Sequence, residues 1–321
     1  MIFAFSCSSI LAVVTRGSTF LRKVSVQRTN QISMMSSKSR IPQLLPASQA
    51  IELHSSSSVK FIDGSWHMGN VRNPYAEYLA ERIPGSQYFN IDEVSDKSND
   101  LPHMLPDEKF FDAKVSSMGI SNDDHIVVYV HPNCFSGPRV WWMFKAFGHE
   151  NVSLLDGGLS AWKAAGGETI CTAPSSVVAN GNFKSTLSSA HYVNVDDVLK
   201  TVNTGSSQIV DARSKARFEG SAPEPRAGLE GGHMPGALNL PFTTLLKEDL
   251  TTFKSPVEIR DAFKEAGVIF GAKIILTCGS GVSASVLAMG LTLMGQELQS
   301  CPIYDGSWSE WGGRSDLPKT K

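Results

Sequence analysis

One cysteine in the sequence is placed where its thiol could act as a nucleophile. Residues 273–284 combine an apolar strand that ends at Thr277, a loop of small residues, and the start of a helix that continues to about residue 294. This order predicts that Cys278 lies at the tip of the strand and faces the N-terminus of the helix. A helix N-terminus stabilises an anion and lowers the pKa of a nearby thiol.

The loop around this cysteine contains residues that favour an anion-binding cradle. Gly279 and Gly281 would let the backbone curl so that several N–H groups point inward, and Ser280 and Ser283 add hydroxyl donors. Such a cradle would stabilise the Cys278 thiolate and, after sulfur transfer, a persulfide, which is again an anion. The alternative is a buried structural cysteine beside a glycine-rich turn, which the strand–loop–helix order disfavours.

A phosphatase loop also sets a cysteine between a strand and a helix, so it is the first rival interpretation. That loop needs an arginine six residues after the cysteine, because the guanidinium binds phosphate oxygens through two parallel hydrogen bonds. Here the sixth residue is Ala284, and Arg314 is the only Lys or Arg between Cys278 and the last few residues. The sequence therefore argues against phosphatase chemistry at this loop.

The strand and loop belong to a unit that occurs twice in the chain. Five landmarks of the first half recur in the second half after 147 to 151 residues, among them the strand-ending Asp63 and Asp211. A nearly constant offset predicts a duplicated domain of about 130 residues. We therefore expect a first domain at residues 41–171, a linker rich in Ser, Ala, Asn and Pro at residues 172–189, and a second domain at residues 190–321.

Short apolar strands alternate with helical patterns within each copy. Residues 126–130 and 274–276 are uniformly apolar, as in strands of a parallel sheet that is covered on both faces. Residues 107–118 and 255–266 carry Phe and aliphatic side chains at helical spacing and end near a glycine. The fold class is therefore predicted to be α/β, with the reactive loop at the carboxyl end of a strand.

Charge and cysteine count argue against several other classes of protein. The formal net charge is -2, which gives no reason to expect nucleic acid or a membrane surface as a partner. The five cysteines include no Cys-x-x-Cys pair, which argues against both a disulfide framework and a zinc site. We expect reduced thiols and no metal ion.

The first 40 residues have a composition of their own. Six basic residues precede the first acidic one, Glu52, and the stretch is rich in Ser and Thr. This composition is typical of an organelle transit peptide, so residues 1–40 are predicted to direct the protein to mitochondria, with plastids as an open alternative. A signal-peptide core at residues 2–14 lacks a preceding basic residue, and a disordered tail stays open. Initiation at Met34 would give a cytosolic form.

Several motifs between about residues 43 and 311 point to a known family. They include Leu101-Pro102-His103-Met104-Leu105-Pro106, Pro138-Arg139-Val140-Trp141-Trp142, Pro223-Glu224-Pro225-Arg226, Gly232-His233-Met234-Pro235-Gly236 and Cys278-Gly279-Ser280-Gly281-Val282. With these motifs the sequence resembles the tandem-domain rhodaneses, and among them the 3-mercaptopyruvate sulfurtransferases. The resemblance implies two domains, each with a mostly parallel five-stranded sheet covered by helices on both faces.

The resemblance also implies that only the second domain is catalytic. In the first domain, His131 occupies the position that matches Cys278. Cys134 follows three residues later in the same loop and is predicted to be non-catalytic.

Loop charge indicates the sulfur donor. In this family, members with basic residues just after the cysteine prefer thiosulfate, a compact dianion, and members with a neutral Gly-Ser-Gly or Gly-Thr-Gly loop favour 3-mercaptopyruvate. The uncharged loop of this chain therefore implies 3-mercaptopyruvate as the donor and thiosulfate as a weaker one.

The substrate-binding residues follow from the same resemblance. Arg217 and Arg226 match the arginines that clamp the donor carboxylate, while Arg213 is expected in a structural salt bridge at a strand end. The remaining residues expected at the substrate are those of the loop, Gly279, Gly281, Val282 and Ser283.

A proton relay of Asp92, His103 and Ser280 is implied beside the cysteine. Breaking the C–S bond of 3-mercaptopyruvate leaves the enolate of pyruvate, which needs a proton, and the incoming thiol must lose one. His103 would reach the cleft between the domains and move these protons, and Asp92 would orient its imidazole. The alternative, that His103 only braces the domain interface, stays open.

Together these expectations describe an enzyme that transfers sulfur. Cys278 would attack the sulfur of 3-mercaptopyruvate, release pyruvate, and pass the persulfide sulfur to thioredoxin, a small thiol or cyanide. The reaction requires no metal or organic cofactor. Two alternatives stay open, a thiosulfate:cyanide sulfurtransferase and a non-catalytic persulfide carrier that delivers sulfur to a partner.

Overall fold

Two five-stranded sheets organise the residues that the computed structural model describes, 41–173 and 179–321. The predicted transit peptide at residues 1–40 lies outside them. The strands of the first sheet are β1 Leu44–Leu45, β2 Val59–Asp63, β3 Gln87–Tyr88, β4 His125–Tyr129 and β5 Val152–Leu155. The strands of the second sheet are β6 Tyr192–Val193, β7 Gln208–Asp211, β8 Leu238–Asn239, β9 Ile274–Thr277 and β10 Ile303–Tyr304.

Both sheets have the same strand order, so the repeat in the sequence is a repeat in the structure. The first sheet runs β1-β5-β4-β2-β3 and the second runs β6-β10-β9-β7-β8, with neighbouring strands parallel throughout. The register repeats as well, because Asp63 pairs with Tyr129 and Asp211 pairs with Thr277. The loops that follow β4 and β9 therefore leave the carboxyl end of the central strand of each sheet, where α/β proteins place their sites.

Helices connect the strands in both repeats. Those of the first are α1 Ala47–His54, α2 Pro74–Ala80, α3 Glu108–Ser117, α4 Gly137–Ala146 and α5 Gly158–Ala164. Those of the second are α6 Val195–Thr204, α7 Lys215–Phe218, α8 Pro256–Glu265, α9 Ala284–Leu293 and α10 Ser307–Trp311. The two helices predicted at residues 107–118 and 255–266 are confirmed to within one residue at each end, as α3 and α8.

Local capping explains where α3 and α8 begin. The side chain of Asp107 accepts a hydrogen bond from the backbone N–H of Phe110, which satisfies a free donor of the first turn. Ser255 and Glu258 form a reciprocal capping box, and Pro256 fits the first turn because its missing N–H is not needed there. These short signals set the helix starts that the apolar spacing alone leaves open.

Each sheet is covered on both faces, as its uniformly apolar strands require. One face of the first sheet packs in a cluster that contains Phe61 and Trp162, and one face of the second packs in a cluster that contains Trp308 and Trp311. The other two faces share a single cluster that runs through α4 and α9. All ten residues of α4 and the first eight of α9 are buried, as expected for helices enclosed between two sheets.

The second half of the predicted linker is part of this packed structure. Phe183 is fully buried and contacts Phe111 edge-on at a ring distance of 5.9 Å. Both the N–H and the hydroxyl of Ser185 donate to Asp112 Oδ1. Residues 41–321 form one compact unit, and within its described residues no helix is long and apolar enough to cross a membrane.

Candidate active site

Cys278 lies in the loop after β9 and has 1% of its surface exposed. Ser307, the first residue of α10, fixes this loop through its hydroxyl oxygen. The oxygen accepts hydrogen bonds from the backbone N–H groups of Cys278 at 3.3 Å and Gly281 at 3.1 Å, and the hydroxyl donates to the Tyr304 carbonyl at 2.8 Å. Ser307 has φ 50°, a left-handed conformation that a non-glycine residue keeps only when its surroundings determine it.

The other backbone donors of the loop remain available for an anion. Within the described part of the chain, no protein acceptor is hydrogen-bonded to the N–H groups of Gly279, Ser280, Val282 and Ser283. The loop therefore keeps donors for a sulfur anion, although the N–H groups of Cys278 and Gly281 are used by Ser307.

Two glycines of the loop are required by their surroundings. Gly281 has φ 76°, and a Cβ at this position would lie 2.7 Å from Arg139 Nη1 and 3.1 Å from Asp305 Oδ1. At Gly279 a Cβ would lie 3.0 Å from Arg217 Nη2. Gly281 is therefore required both by its positive φ and by the lack of space for a Cβ, whereas Gly279 allows Arg217 to approach the loop closely.

Arg226 approaches the loop from the substrate side. Its Nη2 donates to Ser280 Oγ at 3.3 Å. Burial lowers the pKa of Arg226 and the neighbouring Cys278 charge partly offsets this, yet an arginine stays protonated at neutral pH. Among the described residues, no carboxylate forms an ion pair with this guanidinium.

Arg217 and Arg213 are held by carboxylates. Arg217 Nη2 lies 2.5 Å from Glu224 Oε2, while Arg213 contacts Asp211 at 2.6 Å and Glu224 at 2.8 Å. Burial lowers the pKa of Arg213, but the two carboxylates outweigh burial and leave that pKa above its ordinary value. The salt bridge expected for Arg213 at the strand end is therefore present, and it also includes Glu224.

The residues of the predicted relay are in contact. His103 Nε2 lies 2.8 Å from Asp92 Oδ1, and His103 Nδ1 lies 3.1 Å from Ser280 Oγ. Because an ionised carboxylate only accepts, Nε2 carries the proton of the neutral ring and Nδ1 accepts from the Ser280 hydroxyl. Burial raises the pKa of Asp92, but hydrogen bonding and charge from His103 outweigh it, so that pKa ends below its ordinary value.

Arg139 and Asp305 fix the position of His103, and the sequence analysis assigned no role to either. Arg139 is fully buried, donates to Asp305 Oδ1 at 2.7 Å and also donates to the backbone carbonyl of His103. Asp305 Oδ2 accepts from the backbone N–H of Leu105 at 2.7 Å. His103 itself has φ 64°, so the contacts on both sides of it hold a strained backbone in place.

Trp66 is a second residue that the sequence analysis missed. Its indole Nε1 donates to Asp92 Oδ2 at 2.9 Å, and its ring meets the His103 ring edge-on at 4.9 Å. Nothing in the spacing of the motifs indicates this contact, because Trp66 follows β2 while His103 lies in the long connection between β3 and α3. The indole orients both partners of the relay.

These groups meet at a cleft of about 120 Å³ between the two repeats. Cys278, Ser280 and Arg217 line one side of it, together with the predicted substrate residues Gly279, Val282 and Ser283. The rest of the lining contains Arg213 and Ser214 and is otherwise apolar, with Trp66, Met68, Phe135 and Phe242. Gly281 does not line the cleft, and its place behind the loop against Arg139 gives it a supporting role.

The cleft therefore combines a thiol, guanidinium groups and a hydrogen-bonded chain of carboxylate, imidazole and hydroxyl. This combination can attack an electrophilic sulfur, bind an anion and move a proton. In the described ranges 41–173 and 179–321, no group of three or more His, Cys, Asp or Glu side chains is arranged to hold a metal ion.

Comparison with known proteins agrees with this architecture. The rhodanese-like domain family matches the chain twice, at residues 48–165 and 194–314. The chain is 39% identical over 280 residues to thiosulfate/3-mercaptopyruvate sulfurtransferase 1, mitochondrial, of Arabidopsis thaliana, which covers 81% of this chain and 73% of the relative. It is 40% identical over 247 residues to 3-mercaptopyruvate sulfurtransferase of Escherichia coli strain K12, which covers 77% of this chain and 86% of the relative.

A solved structure gives the same result. SseA from Escherichia coli, described with the rhodanese fold of 3-mercaptopyruvate sulfotransferases, superimposes with a TM-score of 0.75 at 35% sequence identity. The match covers 83% of this chain and 98% of that structure. Two matched domains, two parallel five-stranded sheets of equal topology and these relatives establish that the chain belongs to the rhodanese family, as a tandem-domain sulfurtransferase.

Proposed function

We propose that the protein takes sulfur from 3-mercaptopyruvate onto Cys278 and passes it to a thiol or to cyanide. The observation that carries this proposal is the cleft itself, in which Cys278 shares an uncharged loop with Ser280, and Ser280 contacts both Arg226 and His103. The Escherichia coli relative is named for the same donor, which supports the choice.

The first half-reaction forms the persulfide. The Cys278 thiolate attacks the donor sulfur, an S–S bond forms, and the C–S bond breaks with its electron pair going to carbon. The resulting enolate takes the hydroxyl proton of Ser280, which is hydrogen-bonded to His103, and leaves as pyruvate. The S–H proton of the new persulfide then restores the proton that Ser280 gave up.

The arginines bind the carboxylate end of the donor. Arg226 is the guanidinium at the cleft without a carboxylate partner in the described residues, so it is free to pair with the substrate. Arg217 lines the cleft and adds a second group of donors toward the carboxylate or the adjacent ketone oxygen. The apolar side around Phe135 and Phe242 keeps water away from the enolate before it is protonated.

The second half-reaction regenerates the thiolate. An acceptor thiolate, supplied by thioredoxin or a small thiol, attacks the outer sulfur of the persulfide and releases Cys278 as a thiolate. Cyanide attacks the same sulfur and leaves as thiocyanate.

A donor panel with mass detection tests the proposal. Incubating the purified protein with 3-mercaptopyruvate and no acceptor should release one pyruvate per chain and add the mass of one sulfur atom to the peptide containing Cys278. With acceptor present, turnover should become continuous. Pyruvate release in the Cys278→Ser variant at a rate near the wild type would refute the mechanism, and stable loading without turnover would indicate the persulfide carrier.

Thiosulfate is the second candidate donor. The chain is also 38% identical over 267 residues to a thiosulfate sulfurtransferase of Rattus norvegicus, which covers 82% of this chain and 88% of that relative. Comparing kcat/KM for the two donors decides between them, and we expect 3-mercaptopyruvate to be the better substrate because the loop after Cys278 carries no basic residue.

We also propose a mitochondrial location. The Arabidopsis thaliana relative is named mitochondrial, and the acid-free first 40 residues have the composition of a transit peptide. Fluorescent fusions of the full chain and of a chain that starts at Met34 should separate, the first in mitochondria and the second in the cytosol. Identical distributions would reject this assignment.

A further inference from the structure

Charged side chains beside the reactive loop form a nearly neutral group. We refer to Asp211, Arg213, Arg217, Glu224 and Arg226 as the ion group. Its two carboxylates bind two of its three guanidiniums, through contacts of 2.5 to 2.8 Å. Its net charge is therefore about one positive unit, and that charge resides on Arg226, which contacts Ser280.

Glu224 is the member that controls this balance at the cleft. Its side chain is 1% exposed, and it hydrogen-bonds both to Arg213 and to Arg217, which line the cleft. A carboxylate at such a depth is poorly screened by salt and water, so its charge acts on anions in the cleft. Asp211 lies one step further away, because it contacts Arg213 and not Arg217.

The two candidate donors differ in charge. 3-Mercaptopyruvate carries one carboxylate, whereas thiosulfate is a dianion. The Cys278 thiolate adds a negative charge beside Arg226, so a further buried carboxylate repels a bound donor, and it repels the dianion more strongly than the monoanion in a poorly hydrated site.

We propose that Glu224 is a specificity-determining residue that disfavours a dianionic sulfur donor relative to a monoanionic one. The proposal rests on the sulfurtransferase function proposed above and adds the physical basis of donor choice. Glu224 does not touch the reacting atoms. It acts through Arg217 and through the field that a bound anion experiences.

The test is the ratio of kcat/KM for thiosulfate to kcat/KM for 3-mercaptopyruvate. Glu224→Gln removes one negative charge and keeps the side-chain shape, so the ratio should rise about tenfold, since a nearby unit charge changes the binding of a dianion more than that of a monoanion. Glu219→Gln is the matched control, because Glu219 is an exposed carboxylate on the neighbouring turn, paired with Lys215, and the ratio should stay unchanged.

A double variant tests whether the charge of Glu224, and not the shape of its side chain, determines the ratio. Arg213→Met combined with Glu224→Gln removes one charge of each sign, so the ion group regains one excess positive charge and the ratio should return toward that of the wild type. A purely structural role of Glu224 predicts no such return. It predicts instead that Glu224→Gln lowers kcat/KM equally for both donors.

A further variant tests the effect of charge if Glu224→Gln does not fold. Ser214→Lys adds a positive charge at an exposed residue that lines the cleft and leaves the buried ion pairs intact, and it should raise the ratio as Glu224→Gln does. An unchanged ratio in both Glu224→Gln and Ser214→Lys, or an equal loss for both donors, would overturn the proposal. A wild type that turns over neither donor would instead refute the proposed function, so the two failures are distinguishable.

Discussion

The loops after β4 and β9 occupy equivalent places in the two repeats, yet they differ in what fills them. In the second repeat, Asp211 at the end of β7 is paired with Arg213, and the loop keeps backbone donors and a cysteine facing the cleft. In the first repeat, Asp63 at the end of β2 lies 3.1 Å from His131, the residue that stands in place of Cys278. In the first loop an imidazole that lies against a buried aspartate thus occupies the position of the nucleophile.

Cysteine chemistry differs in the same way between the two loops. Cys134 in the first loop is 1% exposed, and burial raises the pKa of its thiol although Ser136 hydrogen-bonds to it. It occupies the position that matches Gly281, the glycine that Arg139 approaches in the second repeat. The same scaffold therefore supports an inert thiol in one repeat and a thiol facing a polar cleft in the other.

The comparison shows that the two repeats contribute different groups to the cleft. It lacks a cysteine at the strand tip, but it supplies His103, Asp92 and Trp66 to the cleft and Arg139 to the loop of its partner repeat. In the proposed mechanism one repeat therefore carries the nucleophile, and the other carries the groups that move and position the proton.

The largest expected effect tests the asymmetry between the two loops. Cys278→Ser should lower turnover of 3-mercaptopyruvate at least about 10⁴-fold, because an alcohol at this place neither ionises nor forms a persulfide. Cys134→Ser should keep activity within about threefold, since its thiol is buried away from the cleft lining. Steady-state pyruvate release measures both, and a comparable loss in the two variants would contradict a single reactive loop.

The sequence predicted the elements of this comparison but not the contacts between them. The repeat, the apolar strands and the strand-tip cysteine follow from local patterns, and the structure has all of them. Arg139 and Glu224 appeared in the sequence only as members of motifs, because a contact with a distant part of the chain leaves no periodic signal; the partner of Arg139, Asp305, is 166 residues away. Nothing in the sequence indicated the contacts of Ser307, for the same reason.

The second prediction concerns the ion pair that joins the repeats. Arg139→Met should lower the free energy of unfolding by about 3–5 kcal/mol, because it leaves the carboxylate of Asp305 buried without its cation. Asp156, the counterpart of Asp305 in the first repeat, accepts from the backbone N–H of Phe253 and has no arginine partner in the described residues, so Asp156→Asn should cost only about 1 kcal/mol.

Urea unfolding followed by circular dichroism measures the two variants of this interface. Equal losses of unfolding free energy from Arg139→Met and Asp156→Asn would show that the turns at Asp156 and Asp305 contribute equally to stability and that the ion pair adds nothing. A loss below about 1 kcal/mol for Arg139→Met would contradict the role given to the pair.

The third prediction decides between a relay and a brace at His103. His103→Asn should lower kcat/KM for 3-mercaptopyruvate about 100-fold, because Ser280, which protonates the enolate, then loses its imidazole partner. Turnover of thiosulfate should change by no more than about threefold, since sulfite leaves as an anion and needs no proton. An equal loss with both donors would show that His103 only braces the interface, in agreement with its contact to Arg139.

The smallest effect uses the thiol of Cys301, which is buried in the second repeat and donates to the backbone carbonyl of Leu298. Burial raises the pKa of Cys301 to about 12, whereas an unfolded cysteine titrates near about 8.5. Below about pH 8.5 both states hold the proton, so the thiol has no effect on the pH dependence of stability. Above that pH the unfolded state loses its proton first, so unfolding becomes easier by about 1.4 kcal/mol per pH unit until the folded thiol also titrates.

Cys301→Ala removes this contribution and makes the test direct. The variant should be less stable than the wild type near pH 8, because a buried side chain is shortened, but it should lose about 1 kcal/mol less between pH 8.5 and 9.5. Cys171→Ala, which removes an exposed thiol, should leave the pH dependence of the wild type unchanged. Parallel curves for Cys301→Ala and the wild type would show that burial does not hold this thiol neutral. The inertness of Cys134, which the comparison of the loops also ascribes to burial, would then need another cause.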